Sequence, residues 1–69
     1  MTQTQKIKTY MEQYGSITPL DAMREFGCMR LAARINDLER QGVNIIHETE
    51  QSLNREGQKV RYMRYKVVQ

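Results

Sequence analysis

Apolar residues recur every three or four positions in the first part of the chain, which is the spacing of one face of a helix. The first such stripe consists of Ile7, Tyr10, Met11 and Tyr14. It predicts a helix over about Gln3 to Tyr14, with Thr2 or Thr4 as its N-cap and Gly15 as its end. We expect this helix to serve mainly as a core element.

A second, shorter helix is predicted over about Pro19 to Phe26, ending at a tight turn formed by Gly27. Thr18 is placed to cap this helix, and Asp21 lies three residues later, as in a capping box. Proline suits the first turn of a helix, because the N–H that it lacks has no intrahelical partner there. We expect the helix to turn four apolar side chains inward: Leu20, Ala22, Met23 and Phe26.

A third helix is predicted over about Met29 to Gln41, where Leu31, Ile35 and Leu38 form a narrow apolar face. The opposite side carries Met29, Ala33, Asn36, Asp37 and Arg40, with Arg30 and Arg34 on one flank and one turn apart. A short helix, a glycine turn and an arginine-bearing second helix together have the outline of a helix-turn-helix.

From Val43 onward the pattern changes to that of strands. Residues 43–50 are β-branched and partly alternating, residues 51–58 are polar with turn formers, and residues 59–68 form a second strand. The spacing from Tyr62 to Tyr65 breaks a period of two, which predicts a bulge near Met63-Arg64 or a twist of the strand. Ser16-Ile17 is long enough for one β bridge to a later strand. Two strands joined by a basic loop after a helix-turn-helix predict an α+β winged helix, with three helices and a two-stranded wing.

Length and charge narrow the picture. The chain has 69 residues, enough for a single domain over 1–69. Eleven Lys and Arg against eight Asp and Glu give a net charge of +3 and a pI near 9.3, which suits an anionic partner. There is one Cys and one His, so we expect neither a disulfide framework nor a metal site, and Cys28 is interpreted as a small buried residue.

Several other function classes find no support in the sequence. The first residues contain no apolar run typical of a signal peptide, and no segment approaches the ~18 apolar residues of a membrane span. We therefore expect a cytoplasmic protein with no membrane partner. No nucleophile–base pair, phosphate-binding glycine loop or paired carboxylates indicate catalysis, so we expect a protein that is not an enzyme and needs no cofactor.

Specific runs of residues resemble a known family. They are Gly15-Ser-Ile-Thr18, Asp21-Ala22, Arg30-Leu-Ala-Ala-Arg-Ile35 and the Arg61-Tyr62 pair of the last strand. They are similar to the small winged helix-turn-helix proteins of bacteriophages and prophages, over nearly the whole chain. Met29 departs from the family pattern, in which Ser or Thr is more usual at that cap. The resemblance implies DNA binding in a bacterial host cell.

The residues predicted to contact DNA are Arg30, Ala33, Arg34, Asp37, Arg40, Arg55, Lys59 and Arg61. The third helix is expected to enter a major groove, and the wing over about 51–61 to lie on the backbone. Two alternatives stay open. Arg34 is also placed to pair with Glu39 or Asp37, and the wing cations also suit an edge strand protected from aggregation by charge.

These observations predict a sequence-specific or architectural protein that binds double-stranded DNA, acting as a transcriptional regulator or an excision accessory factor. The alternative is a winged-helix module that binds or inhibits a host protein. One recognition helix covers only a few base pairs, so a homodimer or another phage or host protein is a further expected partner. The first helix and the last strand are the expected dimer surfaces.

Overall fold

The computed structural model describes residues 2–68 as three helices and one antiparallel sheet. The helices are α1 (Gln3–Tyr14), α2 (Pro19–Phe26) and α3 (Leu31–Arg40), and the strands are β1 (Ser16–Ile17), β2 (Ile45–Leu53) and β3 (Lys59–Val67). The order across the sheet is β1-β3-β2, so β3 is the central strand. The predicted three helices and wing are present, and β1 adds a third strand to the sheet.

The first two helices each begin with a complete capping box. In α2, Asp21 N donates to Thr18 Oγ1 at 3.2 Å, while Thr18 N donates to Asp21 Oδ2 at 3.0 Å. Thr2 and Gln5 make the same pair of bonds at the start of α1. These bonds satisfy amides that have no partner within the helix. The predicted bounds of both helices, and the cap at Thr18, are confirmed.

The third helix begins two residues later than predicted. Arg30 is its N-cap, with φ −126° and ψ 55°, and no side chain caps the helix. Neither Met29 nor Arg30 carries a side-chain oxygen that accepts from the first-turn amides, so nothing local extends the helix backward. Arg30 is therefore the capping residue rather than part of the helix, and because its carbonyl accepts from Arg34 N, the two residues are still one turn apart, as predicted.

The core lies between the three helices and one face of the sheet. Its buried residues are Ile7, Met11, Ile17, Ala22, Cys28, Leu31, Ile35, Leu38 and Tyr65. The predicted apolar face of α3 and the burial of Cys28 are confirmed. The inward side of α2 is corrected, because Leu20 is 67% exposed and Met23 is 44% exposed. Ala22 and Phe26 face the core, as predicted, and Leu20 lies roughly 160° around the helix from Ala22.

Strands β2 and β3 form a hairpin with uninterrupted register, from the Ile45–Val67 pair to the Leu53–Lys59 pair. The predicted bulge near Met63-Arg64 is therefore wrong. Odd-numbered residues of the hairpin lie on one face and even-numbered residues on the other. The spacing from Tyr62 to Tyr65 places one tyrosine on each face, which needs no extra residue.

The hairpin extends beyond the rest of the sheet. In β1, Ser16 and Ile17 pair only with Lys66 and Tyr65, which confirms the predicted bridge. Strand β2 runs to Leu53, so the connecting loop is shorter than the predicted 51–58. We call residues 51–61 the hairpin tip, since all of them are exposed, and residues 45–50 with 62–67 the hairpin base. None of the helices described within residues 2–68 is long and apolar enough to cross a membrane.

Candidate nucleic-acid interface

The outward face of α3 carries small and polar side chains. Leu31, Ile35 and Leu38 hold the opposite face in the core. At the N-terminal end of the outward face lie Ala32, which is exposed, and Ala33, which is half-buried. Because these positions carry only methyl groups, a duplex can approach the helix backbone closely there.

Farther along the same face, Asn36 and Arg40 are exposed. Asn36 lies near the centre of the face, and its amide can both donate and accept, which suits the edge of an adenine. The sequence places Asn36 on this side, yet the predicted contacts omit it. The feature of the sequence that could have identified it is a side-chain amide near the centre of the outward face of a predicted helix.

Arg34 and Asp37 are tied to each other on one flank of α3. Arg34 Nη1 lies 3.7 Å from Asp37 Oδ2, and both side chains are about one-third exposed. The other predicted partner, Glu39, instead contacts His47 of β2, with 3.2 Å between Oε1 and Nε2. The foreseen alternative for Arg34 is therefore present. The pair also reduces the repulsion that Asp37 would exert on a phosphate.

The start of α3 is the one helix start, within residues 2–68, that lacks a side-chain cap. The carbonyl of Arg30 accepts from Ala33 N at 3.1 Å and from Arg34 N at 3.3 Å, which closes the first turn. First-turn amides that no side chain satisfies carry partial positive charge and favour an anion. The exposed Arg30 side chain adds a full positive charge beside them.

Ion pairing divides the basic residues into two groups. Four form ion pairs with carboxylates: Arg24 with Asp21, Arg34 with Asp37, Arg64 with Glu50, and Lys66 with Glu48. The others have no ion pair within residues 2–68: Lys6, Lys8, Arg30, Arg40, Arg55, Lys59 and Arg61. Every cation predicted to contact DNA, except Arg34, belongs to the unpaired group.

Arg64 illustrates how the paired group serves the fold. Its side chain donates to Glu50 on the neighbouring strand, and Nη1 also donates to Ser16 Oγ at 2.9 Å, which ties β1 to the hairpin. The hydrogen bond to the Glu50 carboxylate raises the pKa of Arg64 above its ordinary value. This guanidinium is committed to holding three strands together.

The hairpin tip presents its cations on a defined face. Lys59 and Arg61 are odd-numbered, so they lie on the face of the sheet where Tyr65 packs into the core. His47 lies on the same face and contacts Glu39 of α3. The basic side chains of the tip therefore extend from the side of the sheet that carries α3.

The loop at the end of the hairpin is closed by Asn54. Its Oδ1 accepts from Glu56 N and Gln58 N, both at 2.9 Å, and its backbone N donates to Gln58 O at 2.9 Å. Gly57 takes a left-handed conformation with φ 77°, which favours glycine. Arg55 lies inside this loop and is exposed.

No group of three or more His, Cys, Asp or Glu residues within residues 2–68 is arranged to hold a metal ion. The arrangement is instead that of a helix-turn-helix, made by α2, Gly27 and α3, followed by a basic β-hairpin wing. Residues 2–69 match the family model described as a winged helix-turn-helix domain, and the chain belongs to that family. No curated protein and no solved structure gives a significant match.

Proposed function

We propose that this protein binds duplex DNA, with the outward face of α3 in a major groove and the hairpin tip on the adjacent backbone. The observation that carries the proposal is the segregation of charge. Arg30, Arg40 and the three tip cations have no carboxylate partner within residues 2–68, whereas the cations of the hairpin base are neutralised. Unpaired cations on α3 and on the hairpin tip supply the favourable electrostatic interaction with phosphates.

Each part of the surface has its own role in this proposal. Arg30 and the uncapped amides of α3 bind a phosphate at the edge of the groove. Ala33 permits close approach, Asn36 contacts base edges, and Arg40 contacts the backbone where the helix leaves the groove. Arg34 and Asp37 flank this face as a pair. The tip residues contact flanking phosphates: Arg55, Lys59 and Arg61.

We further propose that the biological role is transcriptional control or DNA architecture, as in an excision accessory factor of phage or prophage type acting in the bacterial cytoplasm. Membership of the winged helix-turn-helix family and the resemblance of the Arg30–Ile35 run to phage proteins support this role. The absence of an apolar membrane-spanning helix among residues 2–68 is compatible with it.

Fluorescence anisotropy of a labelled, mixed-sequence duplex tests the proposal. With about 4–6 phosphate contacts, the protein should bind at low salt and weaken with a log–log slope of roughly −4 to −5. Arg30→Ala should weaken binding and reduce the magnitude of the slope by about 1. Lys66→Ala is the matched control, because it removes the same charge from a residue paired with Glu48 in the hairpin base.

Two results would contradict the proposal. One is an absence of binding at low salt by protein shown to be folded. The other is an equal loss of affinity in both variants, which would mean that net charge alone governs binding. In the first case the host-protein module becomes the better hypothesis, and recovery of one host protein after nuclease treatment would support it.

A further inference from the structure

Leu53 is an exposed leucine within the basic tip of the hairpin. It is the last residue of β2, it is 66% exposed, and it pairs in register with Lys59. Because it is odd-numbered, it lies on the face of the tip that carries Lys59 and Arg61. Val60, the other apolar residue of the tip, lies on the opposite face. Leu53 does not pack in the core, which the odd-numbered face of β3 enters only from Met63 onward.

The surroundings of Leu53 distinguish it from other exposed leucines, which are common on protein surfaces. Lys59 lies directly opposite across the strands, Arg61 is the diagonal neighbour, and Arg55 follows two residues later in the chain. Glu56 is the only carboxylate of the tip, so three cations against one anion leave the tip with a net charge of +2. The leucine is therefore surrounded by positive charge.

This combination of charge and apolar surface restricts what can cover the tip. The three cations have no ion pair within residues 2–68, so a ligand that matches them carries negative charge. The tip of a second copy has the same excess of positive charge, so repulsion opposes a contact between two tips. A phosphate alone offers the leucine no apolar contact. The minor groove of a duplex offers both, with phosphates along its edges and stacked bases between them.

The hairpin carries Leu53 away from the groove in which α3 is proposed to lie. Strand β2 has nine residues, and Leu53 is at the end farther from the core. At about 3.3 Å per residue, the strand spans roughly 25–30 Å. With α3 in a major groove, the next groove along the duplex is a minor groove. Lys59 and Arg61 then contact the phosphates at the edge of that groove, and Leu53 lies between the cations and the bases.

We propose that Leu53 is an apolar wedge, a side chain that enters the minor groove, inserts between two base pairs and bends the duplex. This inference rests on the DNA binding proposed above and adds a mechanical effect on the DNA. Wedges of this kind partly unstack one base step and bend the duplex by roughly 20–90°. Leu53 thereby determines the shape of the bound DNA, while the cations of the tip supply the attraction to phosphates.

Energy transfer between a donor and an acceptor at the two ends of a mixed-sequence duplex tests the bend. The anisotropy of the same duplex, followed in the same titration, gives the fraction bound. Wild-type protein should raise the energy transfer of the bound duplex, because bending brings its ends together. Leu53→Ala should still bind, since every cation remains, but the energy transfer should fall close to that of the free duplex.

Two further variants make the assignment specific to this side chain. Leu53→Met should keep the bend, because methionine also serves as a wedge. Leu20→Ala is the matched control, since Leu20 is 67% exposed but lies beside the even-numbered face of the hairpin. This variant should bend the duplex as the wild type does.

A duplex with one central mismatch gives a second measurement. A mismatched base is easier to unstack, so the mismatch supplies part of the cost of inserting the wedge. Wild-type protein should bind this duplex roughly tenfold more tightly than the matched duplex. Leu53→Ala should bind the two duplexes equally.

The outcomes separate this inference from the DNA binding on which it rests. A bound but straight duplex in the wild-type complex overturns the wedge, as does an equal bend or an equal preference for the mismatch in Leu53→Ala. Loss of the bend in Leu20→Ala also overturns it. An absence of any change in anisotropy would instead overturn DNA binding itself, and the wedge with it.

Discussion

The base and the tip of the β-hairpin belong to the same two strands, yet their side chains differ in burial and in ion pairing. In the base, Tyr65 is only 6% exposed, and Lys66 and Arg64 are paired with carboxylates of β2. In the tip, every residue from 51 to 61 is exposed, and the three cations have no ion pair within residues 2–68. One strand therefore changes from a structural element to a charged surface along its length.

The change follows the edge of the core. On the odd-numbered face of β3, Met63, Tyr65 and Val67 meet the helices, whereas Lys59 and Arg61 lie beyond them. A cation under the helices would lose its hydration without a partner, which costs several kcal/mol. The position where this face changes from apolar to basic residues is therefore the edge of the core. Residues on one side of it stabilise the fold, and residues on the other side are free to contact a ligand.

The largest effect is expected at the base. Tyr65→Ala removes a buried ring that packs in the core and contacts the ring of His47, with 5.1 Å between centroids. Loss of a large buried side chain costs about 3–5 kcal/mol. A domain of this length has roughly 3–10 kcal/mol in total. Urea unfolding followed by circular dichroism should show the variant to be largely unfolded or to have a much lower midpoint.

Arg61→Ala is the control for that experiment, because Arg61 lies on the same face of the same strand. Exposed substitutions of this kind usually change stability by no more than about 0.5 kcal/mol. If both variants lost similar stability, the tip would be part of the folded core and the contrast between base and tip would be wrong.

The next effect is expected at the tip. Replacing Arg55, Lys59 and Arg61 together with alanine should leave the free energy of unfolding nearly unchanged. It should reduce the magnitude of the salt slope of DNA binding by about 3, one for each lost phosphate contact. Anisotropy titrations over a series of salt concentrations measure this directly.

A charge-matched variant makes this test specific. Replacing Lys6, Lys8 and Lys66 with alanine also lowers the net charge of +3 by three. Since these residues lie on α1 and the hairpin base, the salt slope should stay close to that of the wild type. Equal slopes for the two triple variants would mean that the tip does not contact DNA.

The parts of the fold that are predictable from sequence are those specified by local chemistry. Thr18 and Asp21 specify the start of α2 through two hydrogen bonds between neighbours in the chain, and Gly15 and Gly27 specify helix ends. The core face of α3 follows from its period. The inward side of α2 depends instead on how this eight-residue helix docks, which its own pattern does not determine.

The candidate site shows the same limit. The sequence identifies the cations and suggests near-neighbour partners such as Asp37 for Arg34, but it does not identify ion pairs such as Arg64 with Glu50, because these join residues fourteen positions apart. Which residues face each other across the hairpin depends on its register, and the predicted bulge would have shifted that register. Similarly, Arg34 pairs with Asp37 rather than Glu39, and Glu39 of α3 instead contacts His47 of β2, a contact that depends on how the helix packs on the sheet.

The smallest effect is expected for Asn54→Ala. This variant tests the contribution of loop order to DNA binding without changing the charge of the tip. The substitution removes the side-chain bonds to Glu56 N and Gln58 N but leaves every cation in place. We expect a loss of about 0.5–1.5 kcal/mol of DNA-binding free energy, because the loop must be ordered on binding. The salt slope should not change, since the number of phosphate contacts is the same.

Gln58→Ala, which keeps both amide bonds to Asn54, should bind like the wild type. A changed slope in Asn54→Ala would contradict this interpretation. It would show that the loop hydrogen bonds determine how many cations reach the DNA, and not only how ordered the loop is before binding.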